Sequence, residues 1–285
     1  MKRFILVFMA VAAVSLTSCK KDNDSKPVVP EEPKTVEWGG ATYNVVKMGD
    51  GRFWLAEPLR YVPKGKTASD NPNDDSGFWY PYKSDGTKCT SLKDEASIKE
   101  LGYLYDYETA LGGVKLNKDN FMSFEGAQGI CPDGWHIPTR TELIALCGFS
   151  IKKAGEADKV VNEQAAYYDA GYKGAKVTAL DAAGFKWNFS GTVARNSSTL
   201  KGSYVNNIIS ETNSTVSGYF GKNALTYIMS STGDSVGKDK AGNINNYKFF
   251  GMMTAFKKPA TPEGKLSVLY TNYKSGYSIR CIKNL

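Results

Sequence analysis

The middle of the chain contains the stretch CPDGWHIPTRTELIALCG, residues 131–148, which indicates where a helix begins. Thr139 to Glu142 has the pattern of a capping box, in which the Thr hydroxyl and the Glu carboxylate each satisfy a free backbone N–H of the other. Pro138 sets the direction of entry, and apolar residues at helical spacing follow the box. We therefore predict a helix that runs from this box to about Gly148.

Short strands and a second helix are predicted around this stretch. Residues 35–61 are typical of a β-meander, because β-prone segments alternate with turns such as Gly39-Gly40. Residues 61–90 are expected to be loop, and apolar spacing favours a helix within Ser97–Leu111 that ends at Gly112. Further strands are predicted at Tyr227–Ser230, Lys248–Phe256, Leu266–Thr271 and Tyr277–Ile282.

The composition is that of an ordinary globular protein. The 285 residues are 41% hydrophobic and 23% charged, which excludes a disordered chain, a collagen and a polytopic membrane protein. The formal net charge is +7, and the lysines are scattered along the chain rather than clustered. We therefore interpret them as solvated faces and expect no nucleic-acid partner.

The first residues have the features of an export signal. Lys2 and Arg3 precede an apolar run, Phe4 to Val14, that is too short to span a bilayer core, which needs about 20 residues. The run ends in Leu16-Thr17-Ser18-Cys19, which resembles the lipobox of bacterial lipoproteins. That resemblance implies cleavage before Cys19 and attachment of a lipid to its thiol. The alternative is an ordinary signal peptide with a chance cysteine.

Three segments of the chain are therefore expected. Residues 1–18 are the lipoprotein signal peptide, residues 19–34 a Pro-rich, charged tether, and residues 35–285 the folded domain. The lipid would be the contact with the membrane. Lys20 to Asp24 resembles the acidic export signal of Bacteroidetes surface lipoproteins, so the expected location is the outer membrane, either exposed on the cell surface or on the inner face.

Four cysteines remain after Cys19 is assigned to lipid. Cys89, Cys131, Cys147 and Cys281 lie in a compartment that oxidises thiols, and four cysteines allow three pairings. No pair has zinc-ligand spacing or the Cys-x-x-Cys redox pattern, and the chain has one histidine. A structural zinc site and a thioredoxin-like activity are therefore not expected.

Five blocks of sequence occur in an order that is typical of one family. They lie at Gly51–Tyr61, Leu101–Tyr107, Cys131–Thr139, Ser230–Thr232 and Gly276–Lys283. Together they resemble the Fibrobacter succinogenes major paralogous domain over roughly Val36 to Asn284. The chain departs from the family pattern at Pro58, where Asn is usual, and at Met229, where an aromatic residue is common.

The resemblance implies a fold and a disulfide. The family is similar in layout to the C-type-lectin-like and formylglycine-generating-enzyme-like folds, so we expect an α+β domain with antiparallel strands, two short helices and long irregular loops. It further implies a core disulfide between Cys131 and Cys281, which leaves Cys89 and Cys147 as a second pair or as free thiols. Formylglycine-generating enzymes use two closely spaced cysteines late in the chain. Only Cys281 lies beyond residue 147 here, so this activity is not expected.

No catalytic residues are assigned from the sequence. His136 is the only histidine and lies beside Trp135, and we interpret it as a structural residue that hydrogen-bonds the backbone. The lectin-type calcium motif is broken, because Phe189 follows Trp187-Asn188 where a carboxylate is needed. A different calcium site, with Asp234 and Asp239, is kept as an alternative. No other cofactor is expected.

An aromatic segment is the candidate ligand site. Trp79, Tyr80 and Tyr82 could stack on sugar rings, and the alternative, which we favour, is that they pack under a loop. The leading functional hypothesis is a non-enzymatic, lipid-anchored outer-membrane or surface protein whose lectin-like domain binds carbohydrate or protein ligands. The alternatives are an enzyme that acts on extracellular glycans and a structural, filament-associated surface component.

Overall fold

A computed structural model describes residues 32–84, 89–146, 177–188, 190–197, 210–212, 215–220, 225–238, 244–255 and 265–285 of the chain. Pro33–Leu285 form a compact unit. The described elements are short helices and antiparallel strands, so the domain is α+β as predicted. Cys19 and the predicted signal peptide lie outside the described residues.

The predicted β-meander is confirmed. It consists of β1 (Thr35–Trp38), β2 (Ala41–Lys47) and β3 (Phe53–Leu55), each antiparallel to the next. Gly39 and Gly40 both have positive φ, +57° and +77°, which is the conformation that a two-residue hairpin turn requires. Alternate β2 side chains then face the core, among them the fully buried Tyr43.

The end of the chain completes the same sheet. Strand β15 (Ile282–Lys283) lies between β3 and β8 (Trp135–His136), and Ile282 pairs with Trp54 on one side and His136 on the other. The predicted strand Tyr277–Ile282 is therefore a strand only at its end. The residues before it make single bridges to other segments: Tyr277 to Tyr105 and Ser278 to Ile228.

The disulfide implied by the family resemblance is confirmed. The Cys131 and Cys281 sulfurs are 2.06 Å apart, their sequence separation is 150, and both residues are fully buried. The bond joins the segment before β8 to the residue before Ile282. It therefore ties the middle of the chain to its last strand.

The predicted helix within Ser97–Leu111 is two helices. Helix α1 (Glu95–Leu101) is capped by Asp94, whose carboxylate accepts the Ser97 N–H at 2.8 Å. Gly102, at φ +68°, ends it, and β7 (Leu104–Tyr105) follows before α2 (Tyr107–Ala110) begins. The single-helix prediction was wrong because β7 pairs with β4 (Phe78–Trp79), a tertiary contact that helical spacing does not reveal.

The capping-box helix forms as predicted, although its described part ends at Leu146. In α3 (Arg140–Leu146), the Glu142 carboxylate accepts the Thr139 N–H at 2.8 Å, and the Thr139 hydroxyl accepts the Glu142 N–H at 3.2 Å. A fourth helix, α4 (Val177–Ala182), brings the described helices to four rather than two.

Four further sheets of the described structure lie outside the central one, and one of them is the β4–β7 pair. Two more are three-stranded. One has the order β10 (Ser210–Thr212), β11 (Thr215–Phe220), β9 (Thr192–Ser197), and the other has the order β12 (Leu225–Lys238), β13 (Ile244–Ala255), β14 (Lys265–Asn272). The fourth pairs β5 (Tyr82–Ser84) with β6 (Cys89–Ser91). The strands predicted at Tyr227–Ser230 and Leu266–Thr271 fall in β12 and β14. The strand predicted at Lys248–Phe256 falls in β13 up to Ala255, and Phe256 lies outside the described residues.

A buried arginine attaches the loop after α4 to the last strand. Arg280 is 1% exposed, and its guanidinium donates to the carbonyls of Ala56, Phe185 and Lys186 and to the side chain of Asn188. Burial lowers its pKa to about 9, so it remains charged at neutral pH. The carbonyl oxygens take the place that a carboxylate partner has in a buried ion pair.

Candidate ligand-binding face

Trp79 lies in the core rather than on a ligand-binding surface. It is 1% exposed and packs with Leu104 and Val193, and its indole N–H donates to the Asn71 carbonyl at 3.1 Å. A Cβ on Gly276 would lie 2.8 Å from its ring, so that face is closely covered. The prediction that Trp79 stacks on a ligand is therefore corrected to the packing alternative.

Tyr80 follows Trp79 and is half-buried. Its N–H donates to the Ser69 carbonyl at 3.1 Å, and its ring centroid lies 5.9 Å from that of Tyr103 at an interplanar angle of 54°. Tyr103 is also half-buried and packs on the buried Phe78 with a centroid distance of 4.8 Å. The structure therefore brings two tyrosine rings together, of which the sequence predicted only one as a site residue.

Tyr103 was missed because its spacing favoured a helix. The block Leu101–Tyr107 contains three tyrosines, and the structure buries Tyr105 and Tyr107 completely while it leaves Tyr103 half-buried. Strand alternation does not separate them, because the three tyrosines are two residues apart and both residues of β7 are buried, so no pattern in this block marks Tyr103. Burial and the nearby Tyr80 raise the pKa of Tyr103, so its hydroxyl stays protonated at neutral pH.

An exposed ion pair borders the two rings. Lys93 and Asp70 form a salt bridge, with 58% and 54% of their side chains exposed, and the Lys93 ammonium lies 5.9 Å from the Tyr80 ring centroid. The hydrogen bond from Lys93 lowers the pKa of Asp70, and the same contact raises the pKa of Lys93. Both groups are charged at neutral pH and offer acceptors and donors beside an aromatic surface.

A second pair of half-buried rings lies near the first. Trp38 and Tyr61 stack with centroids 5.5 Å apart, and the Trp38 indole donates to the Ile130 carbonyl at 2.9 Å. Tyr105 connects the two pairs, since its hydroxyl donates to the Tyr61 carbonyl at 2.7 Å and its ring centroid lies 6.5 Å from that of Tyr103. Val62, which follows Tyr61, is 48% exposed.

His136 is held by side chains rather than by the predicted backbone contacts. Its Nδ1 lies 2.6 Å from the Asn284 side-chain oxygen, and its Nε2 lies 3.0 Å from a Glu142 carboxylate oxygen. Arg52 contacts the same carboxylate at 3.0 Å. Neither ring nitrogen is therefore directed at a serine or a cysteine, and the arrangement is a polar junction between β3, β8, α3 and the chain end.

The remaining predicted site residues lie wholly or partly outside the described structure. Asp239 and Cys147 are outside it, and for Tyr82, Cys89 and Asp234 the backbone lies in β5, β6 and β12 while the side chains are outside it. The calcium alternative and the second cysteine pair therefore stay predictions. Among the residues that the structure does describe, no group of three or more His, Cys, Asp or Glu could hold a metal ion.

The described helices are all short. Within the described ranges, none is long and apolar enough to cross a membrane.

Most of the chain matches a known protein family. Residues 46–283 match the family described as the Fibrobacter succinogenes major domain. No curated protein and no solved structure matches the chain. The matched range contains β3 and β15, both cysteines of the core disulfide, Arg280 and both tyrosines of the half-buried pair. The chain therefore belongs to the Fibrobacter succinogenes major domain family.

Proposed function

We propose that this protein is a non-enzymatic, lipid-anchored protein of the outer membrane or cell surface whose domain binds carbohydrate or protein ligands. The observation that carries the binding proposal is the surface at which Tyr80 and Tyr103 meet the exposed Asp70–Lys93 ion pair. Ligand-binding residues commonly lie on loops that a rigid scaffold positions, and these residues flank β4, α1 and β7.

The proposed location has two lines of support. The first is the apolar run that ends in Leu16-Thr17-Ser18-Cys19. The second is the buried disulfide, since disulfides persist in exported proteins and are rare in the reducing cytosol. A flexible Pro-rich tether after Cys19 would hold the domain away from the membrane.

We propose further that the domain is a divergent relative of the C-type-lectin-like fold. Support comes from the C-terminal strand β15, which lies in the central sheet beside β3, and from the long irregular segments 56–77 and 111–134. A crystal structure of the full domain, superposed on lectin-like domains, tests this relation. A different strand order in the central sheet would contradict it.

The anchoring proposal is tested by metabolic labelling. Cells that express the full chain are grown with a clickable palmitate analogue, and we expect label on the wild type and on Cys147→Ser but none on Cys19→Ser. Protease treatment of intact and of lysed cells then distinguishes surface exposure from inner-face anchoring. Label that remains on Cys19→Ser would contradict lipidation at this residue.

The binding proposal is tested on the full-length, detergent-solubilised protein. It is applied to a glycan array with and without calcium, and surface proteins are cross-linked to it on intact cells. We expect saturable binding to at least one class of ligand with no change in the ligand's mass. Release of shortened glycans, measured by mass spectrometry, would instead support the glycan-acting enzyme.

A further inference from the structure

The four residues around Tyr80 define a surface with one aromatic side and one charged side. The aromatic side is formed by Tyr80 and Tyr103, and the charged side by Asp70 and Lys93. We infer that this Tyr80 surface binds a neutral carbohydrate, with a pyranose ring against the tyrosines and adjacent hydroxyls on the ion pair. This inference rests on the proposed binding function and names the ligand class and the site.

The aromatic side matches one face of a pyranose. Such a ring presents several C–H groups on one face and hydroxyls around its edge, so it packs on an aromatic ring while its edge remains hydrogen-bonded. Tyrosine combines an apolar ring with a polar tip, and a phenol hydroxyl can both donate and accept hydrogen bonds. Burial and the nearby Tyr80 raise the pKa of Tyr103, which keeps its phenol neutral.

The charged side matches the hydroxyls at the ring edge. A carboxylate accepts hydrogen bonds and an ammonium donates them, so Asp70 and Lys93 can bind two neighbouring hydroxyls of one sugar. Their charges cancel, and the pair offers no net attraction to a carboxylated or sulfated glycan. The surface therefore favours neutral sugars, and their binding depends only weakly on salt.

The surface is already ordered in the free protein. The Ser69 N–H donates to the Phe78 carbonyl at 2.8 Å, and the Tyr80 N–H donates back to the Ser69 carbonyl at 3.1 Å. The Leu92 N–H donates to the Pro81 carbonyl at 2.8 Å, which sets Lys93 beside Tyr80. Fixed backbone reduces the entropy lost when a ligand binds, so a small site can bind specifically.

The test uses the full-length protein in detergent and four variants. Neutral and acidic glycans are screened on an array, and the strongest neutral ligand is titrated by calorimetry with EDTA present. We expect Tyr80→Ala and Asp70→Asn each to weaken binding about tenfold, and Tyr80→Phe, which keeps the ring, to change it less than about threefold. Asp119→Asn, in the exposed Lys118–Asp119 pair, is the matched control and should leave binding unchanged.

The outcomes separate the inference from the proposed function. A neutral glycan that binds all four variants equally would overturn the site while the binding function stands. A preference for acidic glycans, or binding abolished by EDTA, would overturn the ligand class. If the protein captures a surface protein and Tyr80→Ala abolishes that capture, the ligand class would also be overturned. Failure to bind any glycan or protein would overturn both proposals. Circular dichroism confirms that each variant is folded before its result is counted.

Discussion

At the scale of single residues, the polar junction around His136 couples stability to pH. Burial favours the neutral imidazole, but hydrogen bonds to Glu142 and Asn284 outweigh it and raise the pKa of His136. Burial also opposes the charge of Glu142, yet hydrogen bonds from His136 and Thr139 lower the pKa of that carboxyl. Both pKa shifts mean that the folded state favours the pair of charged His136 and charged Glu142.

The sign of each shift gives the pH range in which the pair stabilises the fold. The His136 contribution is present below its unfolded pKa, about 6.5, and is lost as pH rises through the higher folded value. The Glu142 contribution is present above its unfolded pKa, about 4.3, and is lost as pH falls through the lower folded value. Both act together between about pH 4.3 and about pH 6.5.

We therefore predict that the stability difference between the wild type and His136→Gln is largest near about pH 5.5 and shrinks toward alkaline pH. Urea unfolding at pH values from about 4 to about 9 measures it. Lys118→Gln, which removes an exposed ion pair with Asp119, should give a small and nearly constant difference. A His136→Gln difference that does not vary with pH would contradict the role of the charged imidazole.

A second residue-scale prediction concerns Arg280. Replacement by Met keeps much of the volume but leaves the carbonyls of Ala56, Phe185 and Lys186 without their donor. Each buried acceptor that loses its partner costs about 1–3 kcal/mol, so we expect Arg280→Met to lower the free energy of unfolding by at least about 3 kcal/mol. Denaturant titration measures this. Arg280→Lys keeps the charge but has fewer hydrogen-bond donors, so its free energy of unfolding should lie between those of the wild type and Arg280→Met.

At the scale of elements, short-range sequence patterns predicted the turns and the helix start that depend on neighbouring residues. The meander turns at Gly39–Gly40 and the capping box at Thr139–Glu142 are short-range patterns, and both form. The division between α1 and α2 depends instead on β7, which pairs with β4 across more than twenty intervening residues. The same long-range pairing buries Trp79 and leaves Tyr80 half-buried. The sequence therefore named Tyr80 but could not distinguish it from the buried Trp79, and it did not find Tyr103.

Gly102 is the residue that separates α1 from β7, and its replacement tests that division. It has φ +68°, and a Cβ there would lie 2.5 Å from the Pro58 side chain and 2.8 Å from the Leu59 carbonyl oxygen. Gly113 also has a positive φ, +89°, but a Cβ there would meet nothing within 4 Å. The two glycines therefore share a positive φ, which would strain any other residue, and they differ in how closely neighbouring atoms approach.

We predict that Gly113→Ala lowers the free energy of unfolding by about 1 kcal/mol, the cost of a positive φ alone. Gly102→Ala should lower it by a further 1–3 kcal/mol or so, because overpacking adds to the strain. Thermal and urea unfolding of both variants give the comparison. Equal losses would show that the approach of Pro58 to Gly102 does not constrain the fold.

At the scale of the whole molecule, the last residues of the chain complete the core. Ile282 pairs with both β3 and β8, Cys281 is bonded to Cys131, and Arg280 attaches the loop after α4. All three residues are almost fully buried. Contacts of this kind join segments that are far apart in sequence, so a fold of this topology gains its cooperative core only when the C-terminal segment is in place.

The disulfide is a covalent constraint on this closure. It joins residues with a sequence separation of 150, and the loop-entropy relation gives a stabilisation of about 5 kcal/mol for a loop of that size. Domains commonly have unfolding free energies of about 5–15 kcal/mol, so the bond accounts for a large part of the total. Both cysteines are fully buried, which keeps reductants away from the bond while the domain is folded.

We predict that the Cys131→Ser, Cys281→Ser double variant loses about 4–5 kcal/mol of unfolding free energy, measured by urea titration. Dithiothreitol alone should leave the wild-type bond intact, and the same reductant in denaturing urea should open it, as alkylation and mass spectrometry of the two cysteines would record. The double variant, unlike either single one, leaves no unpaired buried thiol and is the cleaner comparison. If the free energy of unfolding of the double variant is within about 1 kcal/mol of the wild-type value, the β3–β15–β8 pairing closes the fold by itself and the bond is a secondary constraint.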